Sequence, residues 1–269
     1  HVCSFCAIPG FRGRFRSRSV ADLVAESRRL AENGVPELVF GSQATKAFGS
    51  ADVFLEKCIV NPKHIEVQIL ADKHGNAIHL FERDCSIQRR NQKLVEEAPS
   101  PVLSPERRAE MGVVIRKAIK NTGYTSLGTL EFLMDDNGEL YFMEMNTRVQ
   151  VEHPVTEMVT DVDLVQWQIR IARGERLDLD PVRALTPNGH AIECRIYAED
   201  PDQGFMPSPG LIRGLRAATG PGVRDDGGVV AGYTVPVFYD SMIAKLIAWA
   251  PNRSEAVARM ARALALRQH

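Results

Sequence analysis

At 269 residues, with 44% apolar and 25% charged side chains and a formal charge of -1, the chain has the composition of a globular protein large enough for one domain or two. That balance argues against disorder and against a chain-wide nucleic-acid surface. No apolar run approaches the roughly 18 residues that span a bilayer, and no secretory signal is read at the amino end.

Five cysteines, three of them isolated at Cys58, Cys85 and Cys194, do not make a disulfide framework and fit a reducing compartment. A cytoplasmic protein is therefore expected, and a first residue His1 rather than Met suggests that the natural start lies upstream. Near the amino end, Cys3-Ser4-Phe5-Cys6 has no second pair at zinc-site spacing and no third thiolate for an iron-sulfur cluster. Arg12, Arg14, Arg16 and Arg18 form a basic run that reads most simply as a solvated loop.

Residues 20–33 read as a helix, with Ser19 as cap, Asp22 three residues on, Leu23, Val24 and Leu30 in a stripe, and Gly34 as stop. A strand at 37–40 completes an αβ unit. Strands are then expected at 53–59, 64–71, 77–83, 129–134 and 140–145. In the second of these, Ile65, Val67 and Ile69 alternate with Glu66, Gln68 and Leu70 in the manner of a half-buried antiparallel strand.

Helices are expected at 104–122, opened by Ser104-Pro105-Glu106, and at 163–173. A linker at 181–188 leads to a second strand-rich stretch ending near residue 250. A last helix begins at Ser254, with Ala256, Val257, Met260 and Leu264 on one side, and reaches the end of the sequence without a C-cap. The mixture is α+β.

The densest chemistry lies at residues 144–154, where two carboxylates, an amide, a guanidinium and an imidazole follow a strand-like run and read as a polar loop. Upstream, Asn137-Gly138 between apolar strands signals a hairpin with a two-residue type I′ turn. Counting outward from that turn sets Glu131 opposite Glu144, two like charges about 5 Å apart that need something positive between them. Asn146 falls on the same face. Two carboxylates and an amide oxygen suit Mg²⁺ or Mn²⁺ carrying a nucleotide's phosphates; a pair neutralised by Lys or Arg is the competing explanation. The run from Arg83 to Lys93 reads as a solvated charged loop, although Gln88, Asn91 and Lys93 could also serve an oxyanion.

From about residue 47 onward the sequence resembles biotin carboxylase, the ATP-grasp component of acyl-CoA carboxylases. The resemblance is carried by Phe54-Leu55-Glu56-Lys57, Asn61-Pro62-Lys63-His64-Ile65-Glu66-Val67-Gln68, the segment 82–99, Arg148-Val149-Gln150-Val151-Glu152-His153-Pro154, Glu193-Cys194-Arg195, Met206-Pro207-Ser208-Pro209-Gly210 and Tyr239-Asp240-Ser241-Met242. It implies the second half of an ATP-grasp domain (43–186) followed by a biotin carboxylase C-terminal domain (187–269).

On that resemblance Glu56, Lys57 and Ile59 line an adenine pocket, with His64, Gln88 and Asn91 near the nucleotide. Glu131, Glu144 and Asn146 hold the metal and serve ATP; Lys93, Arg148, Gln150 and Val151 bind bicarbonate. Glu152 is the base, and Arg148 also steadies the biotin enolate. Arg195 meets biotin or carboxyphosphate. Asn91 stands where the family often has histidine. Implied partners are a biotin carboxyl carrier protein or domain, a carboxyltransferase and a second copy of the chain, with neither nucleic acid nor membrane.

Residues 1–42 instead resemble a fragment of the radical S-adenosylmethionine methylthiotransferases, through Cys3-Ser4-Phe5-Cys6-Ala7-Ile8-Pro9, Arg12-Gly13 and Arg16-Ser17-Arg18. That family's first cluster ligand would precede His1, so an iron-sulfur cluster is not expected. Without the amino-terminal domain and glycine-rich lid that the biotin carboxylase resemblance implies upstream of Val53, the chain is expected to be impaired in turnover.

Overall fold

The computed structural model describes residues 58–179, 186–238 and 240–267. The expected helix at 20–33, the strand at 37–40, the CxxC, the arginine run, Glu56 and Lys57 lie outside the described residues.

The framework is one antiparallel sheet, and its first strand explains its position. β1 (Lys63–Ala71) carries Ile65, Val67 and Ile69 on one face and Glu66, Gln68 and Leu70 on the other, and all six are buried. A strand buried on both faces must be central, and β1 pairs with β2 (Ala77–Arg89) on one side and with β4 (Ser126–Met134) on the other. The alternation was therefore a change of chemistry between two buried faces, not between core and water. β3 (Gln92–Ala98), β5 (Leu140–Asn146), β6 (His190–Tyr197), β10 (Val223–Gly227) and β12 (Met242–Ala250) complete the order β10-β12-β6-β3-β2-β1-β4-β5. The short strands β7 (Glu199–Asp200), β8 (Met206–Pro207), β9 (Gly210–Leu211) and β11 (Thr234–Val235) form two small sheets beside it.

Helices cover both faces. α1 (Pro105–Thr122) starts at Ser104, whose side chain accepts from the Arg107 N–H, and ends at Gly123 in the left-handed region; Met111, Ile115 and Ile119 pack on Ile65, Val67 and Ile69. On the same side, α4 (Arg253–Leu266) lays Ala256, Met260 and Ala263 on Leu246 and Ala248. That stripe corrects the expected one, since Val257 and Leu264 are exposed. The opposite side is covered by α2 (His153–Thr160) and α3 (Leu164–Ala172), through Val155 and Val159 against Ile247, and Leu164, Trp167 and Ile171 against Leu70 and Leu127. The observed α+β sheet runs without a break from β3 into β6, across the expected boundary at residue 187.

Three local expectations are corrected. Cys58 and Ile59 belong to no strand. The run from Arg83 to Lys93 is not a loop: β2 continues to Arg89 and turns at Arg90-Asn91, both with positive φ (51° and 63°), the requirement of a type I′ turn, before pairing Arg89 with Gln92. The segment 144–154 is not all loop either, because α2 begins at His153.

The Asn137-Gly138 turn is the most instructive difference. The loop has three residues, Asp136, Asn137 and Gly138, closed by the Asp135 N–H on the Glu139 carbonyl at 3.0 Å, with Gly138 alone left-handed at φ 79°. Asp135 Oδ1 accepts from the Asn137 and Glu139 N–H groups at 3.0 and 2.9 Å. Pairs next to the turn are therefore one residue out of the expected step, with Phe132 opposite Phe142. A bulge at Met143 then restores the step, so Glu131 does face Glu144.

The two turn geometries are separable by substitution. Exposed Asn137 replaced by Ala should change stability by no more than about 0.5 kcal/mol, whereas Gly138→Ala should lose about 1–2 kcal/mol because its left-handed φ penalises a Cβ. Equal losses at both positions in urea melts would restore the type I′ turn.

Candidate active site

Period two along β1 places His64, Glu66 and Gln68 on the face covered by α2, and the neighbouring strands add charge to the same layer. Arg83 on β2 faces Glu66 across the ladder and is wholly buried. Its guanidinium reaches Glu66 Oε2 at 3.2 Å, Gln68 Oε1 at 2.7 Å, Thr129 Oγ1 at 3.2 Å, Gln150 Oε1 at 2.8 Å and Thr156 Oγ1 at 3.0 Å. One side chain thus ties β1, β2, β4, the loop before α2 and α2 itself. Its planar fork suits this task where the point charge of a lysine would not.

Lys93 on β3 stands next to it. Its Nζ touches Glu66, lies 2.8 Å from Glu152 Oε1 and 3.4 Å from Glu131 Oε1. Burial alone would push the ammonium down, but the carboxylates of Glu66 and Glu152 more than reverse this and hold it well above the usual lysine range. Lys93 is accordingly a fixed cation and not a base.

Glu152, 2% exposed, occupies the N-cap position of α2, yet its side chain makes no capping bond and is directed into this layer. Besides Lys93 it accepts from Arg195 Nη2 at 3.1 Å, and Arg195 Nε donates to Glu96 Oε1 at 2.6 Å. Burial would raise the Glu152 carboxyl; Lys93, Arg83 and Arg195 override it and hold it far below the ordinary carboxylate range. Behind it, Lys245 on β12 donates to the Val151 carbonyl at 2.7 Å and fixes the loop.

Glu131 and Glu144 lie directly opposite on β4 and β5. The Asn146 side-chain nitrogen bridges them, at 2.8 Å from Glu131 Oε1 and 3.2 Å from Glu144 Oε1, and Gln150 Nε2 donates to Glu131 at 2.7 Å. His64 Nε2 is 2.8 Å from the other Glu131 oxygen, while Gln88 Nε2 donates to His64 Nδ1 at 2.9 Å, which leaves the ring proton on Nε2. Burial raises Glu131, but His64 and Lys93 bring it down to about 2. Among the described residues no cation pairs with Glu144. Two hard carboxylates and an amide that can turn its oxygen inward therefore fit a divalent ion.

Other expected residues sit apart from this layer. Arg148 is exposed and donates to the Val149 carbonyl at 3.2 Å. Asn91 is exposed at the tip of the β2–β3 turn, and Ile59 is half-buried near the start of the described chain. Sequence reasoning missed Glu66, Arg83, Glu96, Glu193 and Lys245 as parts of the site. The available signal was an acid and an amide, Glu66 and Gln68, at alternate positions of a strand that was otherwise apolar.

The comparisons with known proteins give the family in which this arrangement of acids and cations occurs. Residues 27–180 match the family described as carbamoyl-phosphate synthase L chain, ATP binding domain, and residues 193–268 match the biotin carboxylase C-terminal domain. The first match begins inside the stretch likened above to methylthiotransferases. The chain belongs to the ATP-grasp class and, within it, to the biotin carboxylase family.

Among its relatives, biotin carboxylase of Nostoc sp. is 60% identical over 222 residues, covering 82% of this chain and 49% of that protein. A crystal structure of the Hydrogenobacter thermophilus 2-oxoglutarate carboxylase biotin carboxylase domain dimer, in complex with MgADP, ADP and bicarbonate, has 55% identity and a TM-score of 0.80, covering 91% of this chain and 52% of the other. A Campylobacter jejuni biotin carboxylase bound to a β,γ-ATP ligand has 47% identity and a TM-score of 0.79 over 84% and 50% of the two chains. The chain thus spans about half the length of these relatives.

Acid stability reports on the clamp. The folded Glu152 carboxyl binds a proton less readily than the unfolded one, whose ordinary value is 4.5. Its contribution is therefore complete above that pH and is lost as pH falls below it. Glu152→Gln should be less stable than the parent at pH 7 and should lose less on acidification; parallel melting curves from pH 7 to 3 would show that Glu152 is not held ionised.

Proposed function

We propose that the chain supplies the metal- and bicarbonate-binding half of a biotin carboxylase, which carboxylates biotin on a carrier protein using ATP and bicarbonate. The observation that carries this reading is Glu152, an ionised carboxylate clamped between Lys93 and Arg195, next to the facing pair Glu131 and Glu144. Relatives of the same fold are described in complex with MgADP and bicarbonate.

In this reading Glu131, Glu144 and Asn146 hold Mg²⁺ or Mn²⁺, which when bound neutralises phosphate charge on ATP. Lys93, Gln150, Arg148 and the Val151 backbone hold bicarbonate. Glu152 takes the bicarbonate proton as the freed oxygen attacks the γ-phosphorus and the bond from that phosphorus to the β,γ-bridging oxygen breaks, giving carboxyphosphate and ADP; positioned general bases accelerate such steps about 10²–10⁴-fold. A strongly ionised carboxylate is a weak base. An arriving anion corrects this by drawing on the charge of Lys93 and Arg195, the cations that keep the Glu152 proton affinity low. Arg195 and Arg148 then face the carboxyphosphate and the biotin ureido oxygen, where negative charge develops.

His64, Gln88 and Asn91, with Glu56, Lys57 and Ile59, serve the nucleotide. The division at residues 42, 43–186 and 187–269, the carrier protein and carboxyltransferase as partners, a homodimer and a cytoplasmic location belong to the same proposal. Among the described residues, no helix is long and apolar enough to cross a membrane.

Calorimetric titration with MgADP tests the reading. The chain should bind, and Glu144→Gln should weaken binding tenfold or more; if neither protein binds, a non-catalytic remnant that keeps the ATP-grasp core replaces the proposal.

A further inference from the structure

Behind Arg195 lies a second pair of facing acids that the proposed reaction does not use. Glu96 on β3 and Glu193 on β6 are direct ladder partners, and both are 0% exposed. Glu96 Oε1 accepts from Arg195 Nε at 2.6 Å, but Glu96 Oε2 and both oxygens of Glu193 are buried without a hydrogen-bond partner. Side chains opposite each other on antiparallel strands have Cβ atoms about 4.5–5.5 Å apart. Two bare carboxylates at that spacing cannot both stay ionised in a buried layer, whereas one proton supplies the missing donor and joins the two groups, pairing two of the three bare oxygens.

We propose that Glu96 and Glu193 form a hydrogen-bonded acid pair carrying one proton, and that Glu96 is thereby the positioning residue for Arg195. The guanidinium has two anionic partners, Glu96 through Nε and Glu152 through Nη2. This role rests on the functional reading above: when Glu152 takes up the bicarbonate proton, Arg195 loses one partner and keeps the other. The proton resides on Glu193, which donates to Glu96 Oε2 and leaves the charge on the oxygen that faces Arg195.

The surroundings favour this division. Facing the pair are Arg195 from β6, Lys245 from β12, Glu152 from the start of α2 and Glu66 from β1. Burial, with the Glu96 charge next, pushes the Glu193 carboxyl well above the ordinary range. Glu96 is also raised by burial, but Arg195 acts against the shift, leaving it at about 7. Lys245 is committed to the Val151 carbonyl and makes no ion pair with Glu193.

NMR of the full chain tests the pair without ligand or turnover. At pH 7 the carboxyl ¹³C shifts of the unsubstituted protein should show one protonated acid between Glu96 and Glu193; two ionised carboxylates would overturn the proposal even if every variant failed to fold. The Arg195 Nε–H should exchange slowly with solvent and lose tenfold or more of that protection in Glu96→Ala. Glu193→Gln, whose amide can donate as the acid does, should keep it, whereas Glu193→Ala should not. Disruption by Glu193→Gln as large as that by Glu96→Ala, or no change in Glu96→Ala, would also overturn it. The MgADP titration decides the underlying functional reading separately.

Discussion

The buried guanidinium of Arg83 is the constraint on which the polar layer depends. An unpaired charge in a sheet interior is strongly unfavourable, and removing one partner from a buried pair typically costs about 3–5 kcal/mol. The chain meets this by surrounding Arg83 with oxygens from β1, β4, α2 and the loop before α2. The positions of Gln150 and Glu152 follow from that demand. Gln150 is bound on one side to Arg83 and on the other to Glu131, so the loop that carries Glu152 is anchored to both the buried cation and the facing acid pair.

Around Arg83 the charges alternate closely enough that Lys93 and Arg195 stay protonated at neutral pH. Lys93 lies among Glu66, Glu131 and Glu152, and Arg195 lies between Glu152 and Glu96. Such a layer is preorganised: its dipoles and charges are aimed before a ligand arrives, in a region where water screens them weakly. The sheet supplies the rigidity, since residues from β1, β2, β3, β4, β5, β6 and β12 are set by ladder register and not by loops.

Much of this was legible in the sequence, though not always for the stated reason. The Glu131–Glu144 pairing was read from a two-residue turn that does not exist; a three-residue loop shifted the register and the Met143 bulge shifted it back. The type I′ turn occurs instead at Arg90-Asn91, where neither residue is glycine and the surrounding charges suggested a loop. Strand pairing and the burial of Arg83, Asp84 and Cys85 at the start of the run overrode that local signal. The same override hid Glu66 and Arg83, since alternation cannot distinguish a face turned to water from a face turned to buried partners. Motif resemblance singled out Lys93, Glu152 and Arg195, which the structure brings together, but not Glu96 and Glu193, which meet only as cross-strand neighbours.

Lys93 also joins two chemically different regions through one ammonium. On the proposed reading Glu131 serves the metal and Glu152 is the base, and the same Nζ is within 3.4 Å of one and 2.8 Å of the other. On the same reading, a divalent ion held by Glu131 and Glu144 would compete with this ammonium for one of its carboxylates and leave it Glu66 and Glu152. A bicarbonate held by Lys93 would share that cation with Glu131, so the proposed metal and anion sites would be coupled through a single side chain. The register that sets β3 between β2 and β6 is what places Lys93 at that junction.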